Sequence, residues 1–232
     1  MLVVITGTSR GVGYNLACEY LKEGHRVLGC SRSTCNLESE KYTHVLADLA
    51  DSLDVRRFVK KIKEIGEPDL IVLSAGAPVS VLNLALQPLE EIKYLSRNNF
   101  AGPLLLISSL ARTFVNVKKH LSLVFISSMV ASRHIRGSAS YAAGKVGVEK
   151  ALQVLAEELA VTNIRVNTIR LGIMEKGTAS DNFGKDWAEE IYRQQFLKRP
   201  LTVTEVKGLL DFFVSKNGVV VSGQTIGLGV TG

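Results

Sequence analysis

LVVITGTSRGVGYNLACEYLKEG, residues 2–24, decides the fold. A short β-branched run, Leu2 to Thr6, breaks into the turn TGTSRGVG, and helical spacing then runs from Tyr14 to Leu21 up to Gly24. A strand that turns through glycines straight into a helix is the context in which a glycine pattern becomes a dinucleotide site. Gly7 allows the tight turn. Gly11 and Gly13 let backbone approach a pyrophosphate and let the helix pack on the strand, with the helix N-terminus facing the anion.

The same alternation repeats outward from this stretch. His25 to Cys30, Tyr42 to Ala47 and Leu70 to Leu73 read as strands, and Ser52 to Ile65 as a helix capped by Asp51 or Ser52. Four strand–helix units before residue 100 predict an α/β fold, a doubly wound parallel sheet with helices on both faces. Ligands of such sheets lie at the carboxyl ends of the strands, where the sequence places Ser31-Arg32-Ser33, Asp48-Leu49 and Ser74-Ala75-Gly76. After the second strand an acid would bind a ribose 2′-hydroxyl, whereas an arginine accommodates a 2′-phosphate. Arg32 is there, and Arg10 in the glycine turn can join it, so NADP(H) is favoured over NAD(H). Asp48 is placed to accept a bond from an adenine amino group.

In the second half, Pro88 to Ser96 and Asn99 to Val115 read as helices, and Leu121 to Ile126 and Ile164 to Arg170 as buried strands. Asn99, at the front of an apolar helix, either caps it or bonds neighbouring backbone, or positions a water for proton relay. Ser128 follows a strand, and Tyr141 and Lys145 are four apart, so on a helix they share a face with Cβ atoms about 5–6 Å apart. A lysine ammonium beside a phenol lowers the phenol's pKa and makes it a usable acid or base, while a serine hydroxyl holds the reacting oxygen.

Composition narrows the classes further. The 232 residues are 46% hydrophobic, enough for one large core, and residues 1–232 are expected to form a single domain. The net charge of +6 suits anionic ligands, but the charges are scattered without an arginine-rich block, which argues against nucleic acid. Cys18, Cys30 and Cys35 lack metal-ligand spacing, so no metal site is expected, and they read as reduced thiols. With neither a signal-like opening nor an apolar run of about 18 residues, a cytoplasmic protein without a membrane span is expected.

These motifs appear in the order and spacing of one family. TGTSRGVG, Asp48-Leu49, SAG, Asn99-x-x-Gly102, the ISS ending in Ser128, YAAGK and the RVN at Arg165 to Asn167 resemble the short-chain dehydrogenase/reductases over essentially the whole length, and the general look is similar to 3-oxoacyl-carrier-protein reductases. The resemblance implies a Rossmann-type three-layer α/β/α sandwich and NAD(P)-dependent carbonyl/alcohol interconversion. Its catalytic tetrad maps onto Asn99, Ser128, Tyr141 and Lys145. The cofactor positions it implies are Gly7, Ser9, Arg10, Gly11, Val12, Gly13, Ser31, Arg32, Asp48, Leu49, Ser74, Ala75, Gly76, Tyr141, Lys145, Gly172 and Ile173. It also implies a homo-oligomer, a tetramer or dimer, pairing the helices Asn99 to Val115 and Tyr141 to Val161.

The chain departs from that pattern at several points. Ser74 stands where members carry asparagine, Leu171-Gly172 replaces a proline–glycine pair, and Lys176 occupies the position of a carboxamide-holding threonine, with Thr178 two residues on. The ending SGQTIGLGVTG lacks the family's acidic–glycine–glycine step. Two segments bear on the substrate, a small carbonyl compound or an acyl carrier protein. The basic loop Ser132 to Arg136 is expected to offer Arg133, His134 or Arg136 to an anionic group, and residues 177–199, with Trp187, Ile191, Tyr192 and Phe196 at amphipathic spacing, read as a lid. The reaction expected is NADPH-dependent reduction of a ketone or 3-oxoacyl group with Tyr141 as general acid. The alternatives are oxidation of a secondary alcohol and a cofactor-binding regulator without turnover.

Overall fold

The computed structural model describes residues 1–79, 81–175, 189, 193 and 195–230. Seven parallel strands form one sheet: β1 (Leu2–Thr6), β2 (Arg26–Ser31), β3 (Tyr42–Leu46), β4 (Leu70–Leu73), β5 (Leu121–Ser128), β6 (Ile164–Leu171) and β7 (Thr225–Leu228). Their order is β3-β2-β1-β4-β5-β6-β7. The order reverses between β1 and β4, where a doubly wound sheet opens a crevice at its carboxyl edge. All residues of β1 and β4 are buried, the two-sided burial that parallel strands require and the reason they read as unbroken apolar runs.

Helices cover both faces. On one face, side chains of α2 (Ser52–Ile65), α4 (Gly102–Phe114) and α5 (Ala139–Glu158), among them Phe58, Leu106, Leu110 and Leu152, pack with Val4, Leu28 and Phe125 of the sheet. On the other, Leu16 and Tyr20 of α1 (Gly11–Lys22) and Leu210 and Phe213 of α6 (Val203–Val214) meet Ile5, Val72 and Val124. The three-layer Rossmann-type sandwich expected from the sequence is therefore the fold. Asp51 is the cap of α2, accepting the N–H groups of Leu53 and Asp54 at 2.9 and 3.0 Å.

Between α3 (Leu89–Ser96) and α4 the chain does not break. Residues Arg97–Ala101 form a π turn that continues one helical rod. Such bulges concentrate at functional positions, and this one carries the buried Asn99. The sequence reading did not find α6, although its start has a legible signal. Thr202 and Glu205 form a capping box in which each side chain bonds the other's backbone.

Candidate active site

A cleft of about 440 Å³ opens at the carboxyl ends of the strands, and its two ends are built differently. At the first, backbone does the work. Gly7 and Gly11 take φ of +77° and +66°, where an L side chain is strained. Gly13 is not in the wall of the cleft. A Cβ there would lie 2.5 Å from the Gly7 carbonyl oxygen, so its role is to let α1 pack on the turn. Arg10 is the N-cap of α1 but supplies no side-chain cap, and the first turn carries no acid, which leaves the helix N-terminus available to an anion. A diphosphate fits this cradle, so the residues present suit a dinucleotide.

Exposed Arg10 and Arg32 line the same end together with Ser9, Val12, Ser31, Asp48 and Leu49. The Arg32 guanidinium donates to the Tyr94 hydroxyl at 3.4 Å. Beneath the Ser31–Ser33 turn lies a polar network the sequence reading missed. Tyr42 donates to Thr8 Oγ1 at 2.9 Å, the Tyr42 hydroxyl meets His44 Nδ1 at 2.8 Å, and His44 Nε2 meets Ser31 Oγ at 3.2 Å. Gly29 makes room for it, since a Cβ there would lie 2.4 Å from the Tyr42 hydroxyl. Asp48 accepts Arg97 at 3.1 Å and the Ala50 N–H at 3.0 Å, so its carboxylate already has a cationic partner.

Thr6 fastens the middle of the cleft, accepting the N–H groups of both Ser74 and Ala75 at 3.0 Å. The following Gly76 backs onto the π turn, and a Cβ on it would sit 2.6 Å from Asn99 Oδ1. Asn99 accepts the Ala77 N–H at 3.0 Å, which is the backbone-bonding reading of this residue, and it is Asn98 that reaches the wall.

At the second end, side chains converge. Ser128 closes β5, and Tyr141 and Lys145 face it from the first two turns of α5. All three line the cleft. Lys145 Nζ lies 5.7 Å from the Tyr141 ring centre and 4.7 Å from that of Phe125, and donates to the Ile126 carbonyl at 3.0 Å.

The titration of this group differs from the sequence expectation. Burial pushes the Tyr141 phenol up to about 12, and the hydrogen bond from Ser128 opposes it. Burial likewise pulls Lys145 down to about 8, while Glu149 opposes it. The ammonium was expected to acidify the phenol. Desolvation of both groups outweighs that attraction, and the phenol stands as a neutral acid with a proton to give.

The wall around this end is apolar: Pro78, Val79, Met129, Val130, Ile135 and Met174. From the basic loop the cleft takes Ile135, whereas Arg133 is half-buried and His134 and Arg136 are exposed, all outside the wall. Leu171 extends β6 by one residue, pairing with Ser128 and Leu228. The stiffness a proline would give comes instead from Gln195, fully buried, whose Oε1 accepts the Ile173 N–H at 2.6 Å. Gly172 is needed for that approach, because a Cβ would meet Gln195 Oε1 at 2.4 Å. Val230 of the divergent ending packs on Met129 and Ile173. Lys176, Thr178, Trp187, Ile191 and Tyr192 lie outside the described residues.

A family model for short chain dehydrogenases matches residues 1–187. The chain belongs to this family. It is an NAD(P)-dependent oxidoreductase acting on carbonyl and alcohol groups. It is 27% identical to L-xylulose reductase of Caenorhabditis elegans, over 97% of this chain and 92% of that protein. It is 25% identical to the 3-oxoacyl-(acyl-carrier-protein) reductase FabG of Escherichia coli strain K12, over 97% and 94%. Among solved structures, 4-hydroxyisoleucine dehydrogenase complexed with NADH superposes with a TM-score of 0.89 at 19% identity, covering 99% of this chain and 97% of that one. That likeness concerns the fold. Among the described residues, no helix is long and apolar enough to cross a membrane.

Proposed function

We propose that the chain reduces an apolar ketone or 3-oxoacyl group to its secondary alcohol with NADPH, working as one domain over residues 1–232 in a homo-oligomer. The observation that carries this reading is the convergence of Ser128, Tyr141 and Lys145 at one end of a cleft whose other end is an uncapped helix N-terminus flanked by two arginines. When bound, the reduced nicotinamide supplies the hydride. Each remaining step belongs to the protein. Ser128 holds the carbonyl oxygen against the phenol, and Tyr141, whose burial keeps it protonated across neutral pH, gives its proton to that oxygen as negative charge develops.

Lys145 places positive charge beside the same oxygen and offers donors to ribose hydroxyls. Asn99 fixes the loop after β4 at Ala77 and, through the π turn, the lysine's surroundings. Arg10 and Arg32 recognise the 2′-phosphate. The apolar wall around Ile135 favours a hydrocarbon-rich carbonyl, carried either by a free small molecule or by an acyl carrier protein. A panel of apolar, hydroxylated and acidic ketones tested for carbonyl-dependent loss of NADPH absorbance checks this reading. Turnover is expected to be fastest with the apolar members and with NADPH over NADH; preference for acidic ketones contradicts the substrate assignment, and absence of turnover over the whole panel contradicts the reductase reading.

A further inference from the structure

Behind Lys145, away from the cleft, lies an ion pair that the mechanism above does not use. Glu149 is 3% exposed and follows Lys145 by one helical turn on α5, so Tyr141, Lys145 and Glu149 run down one face of the helix. Arg170 of β6 clamps its carboxylate from Nε at 3.1 and 3.2 Å and from Nη2 at 2.7 Å. A buried pair of this kind is weak evidence for stability, since well-packed apolar residues in its place serve as well or better. Its position suggests another use.

Among the described residues, the groups facing Lys145 are few. From α5 they are Tyr141 and Glu149, from β5 the Ile126 carbonyl and the Phe125 ring, from the π turn the neutral Asn99, and from the loop after β4 the backbone of Gly76. Arg170 stands beyond Glu149. Of these, Glu149 is the group that opposes desolvation of the ammonium.

We propose that Glu149, held in place by Arg170, is a positioning residue that sustains the positive charge of Lys145 at the carbonyl end of the cleft. The proposal rests on the reading of Lys145 as part of the reaction centre, yet its test does not require turnover. In protein labelled with ¹⁵N-lysine, the Lys145 side-chain resonance, assigned by its loss in Lys145→Arg, is titrated by NMR. Glu149→Gln is expected to lower the Lys145 midpoint by roughly one unit, while Glu149→Asp, which keeps the charge, retains most of it.

Because Glu149→Gln leaves the half-buried Arg170 without its partner, the double variant Glu149→Gln/Arg170→Met carries the test with neither charge present. It is expected to unfold at a temperature close to the parent's and to show the same lowered midpoint. A midpoint unchanged in the double variant overturns the proposal and leaves the pair a packing element. In the reductive assay, the pH range in which the charged lysine supports turnover is expected to contract from its alkaline side by the same shift. A shifted midpoint in a protein that turns over no carbonyl upholds the pairing and contradicts the proposed activity, so the two ideas fail separately.

Discussion

The two ends of the cleft are made of different materials. The nucleotide end is backbone: positive-φ glycines, a helix N-terminus without a side-chain cap, and a strand turn carried on the Tyr42–His44–Ser31 network. The carbonyl end is side chains, with Ser128, Tyr141 and Lys145 drawn from two elements and a wall whose Ile173 is backed by Gln195 and Val230 from the C-terminal third. The first end tolerates almost no change in shape, because a Cβ at Gly7 or Gly13 would meet backbone. The second is shaped by side chains, so a change in its wall alters the space offered to a substrate.

The sharpest way to break the first end is Gly13→Ala. Its Cβ would press to 2.5 Å on the Gly7 carbonyl, a backbone atom that cannot yield. The variant is expected to lose measurable NADPH binding, read by fluorescence titration, and about 1–3 kcal/mol of stability, read by denaturant unfolding. Ser128→Ala attacks the second end. It is expected to lower kcat about 10²–10³-fold while the NADPH Kd stays near the parent value, so a Kd that rises with falling kcat would erase the distinction between the ends.

Arg32→Ala sharpens the distinction within the nucleotide end. Loss of one charged hydrogen bond is expected to weaken NADPH roughly tenfold, with NADH binding unaltered. The smallest effect is one of linkage. Burial holds Lys145 near 8 in the folded chain, whereas an exposed lysine keeps its proton to about 10.4. Between those values the unfolded chain binds more protons, so this group's contribution to stability rises with pH. Comparing thermal midpoints of the parent and Lys145→Met from pH 8 to 10 isolates it. The parent is expected to gain on the variant as pH rises; the opposite slope would show that the fold raises the lysine's affinity for its proton above that of an exposed lysine.

Much of this was legible in residue spacing, for a physical reason. Strand cores buried on two sides must be apolar runs, the phosphate turn must be glycine, and Tyr141 and Lys145 must be one turn apart, so these features print directly onto the chain. The sandwich, the convergence of Ser128, Tyr141 and Lys145, and the placement of Arg10 and Arg32 at one end follow from them. What was missed depends on contacts between distant segments. Nothing local marks Gln195 as the group that steadies Ile173, Tyr42 and His44 as supports for the Ser31 turn, or Glu149 as the partner of Arg170. The phenol's pKa went the other way for a similar reason: spacing shows which charges are near, whereas desolvation depends on everything packed around them. The loop Ser132 to Arg136 reads as a basic patch, yet the fold turns Ile135 to the cleft.

The measurement closest to the central claim is Tyr141→Phe assayed beside the parent, with NADPH affinity and carbonyl-dependent NADPH oxidation determined on the same preparation. If the phenol is the proton donor at the end of a cleft whose other end holds the cofactor, the variant binds NADPH as the parent does and loses nearly all turnover. A variant that turns over at the parent rate would contradict the account.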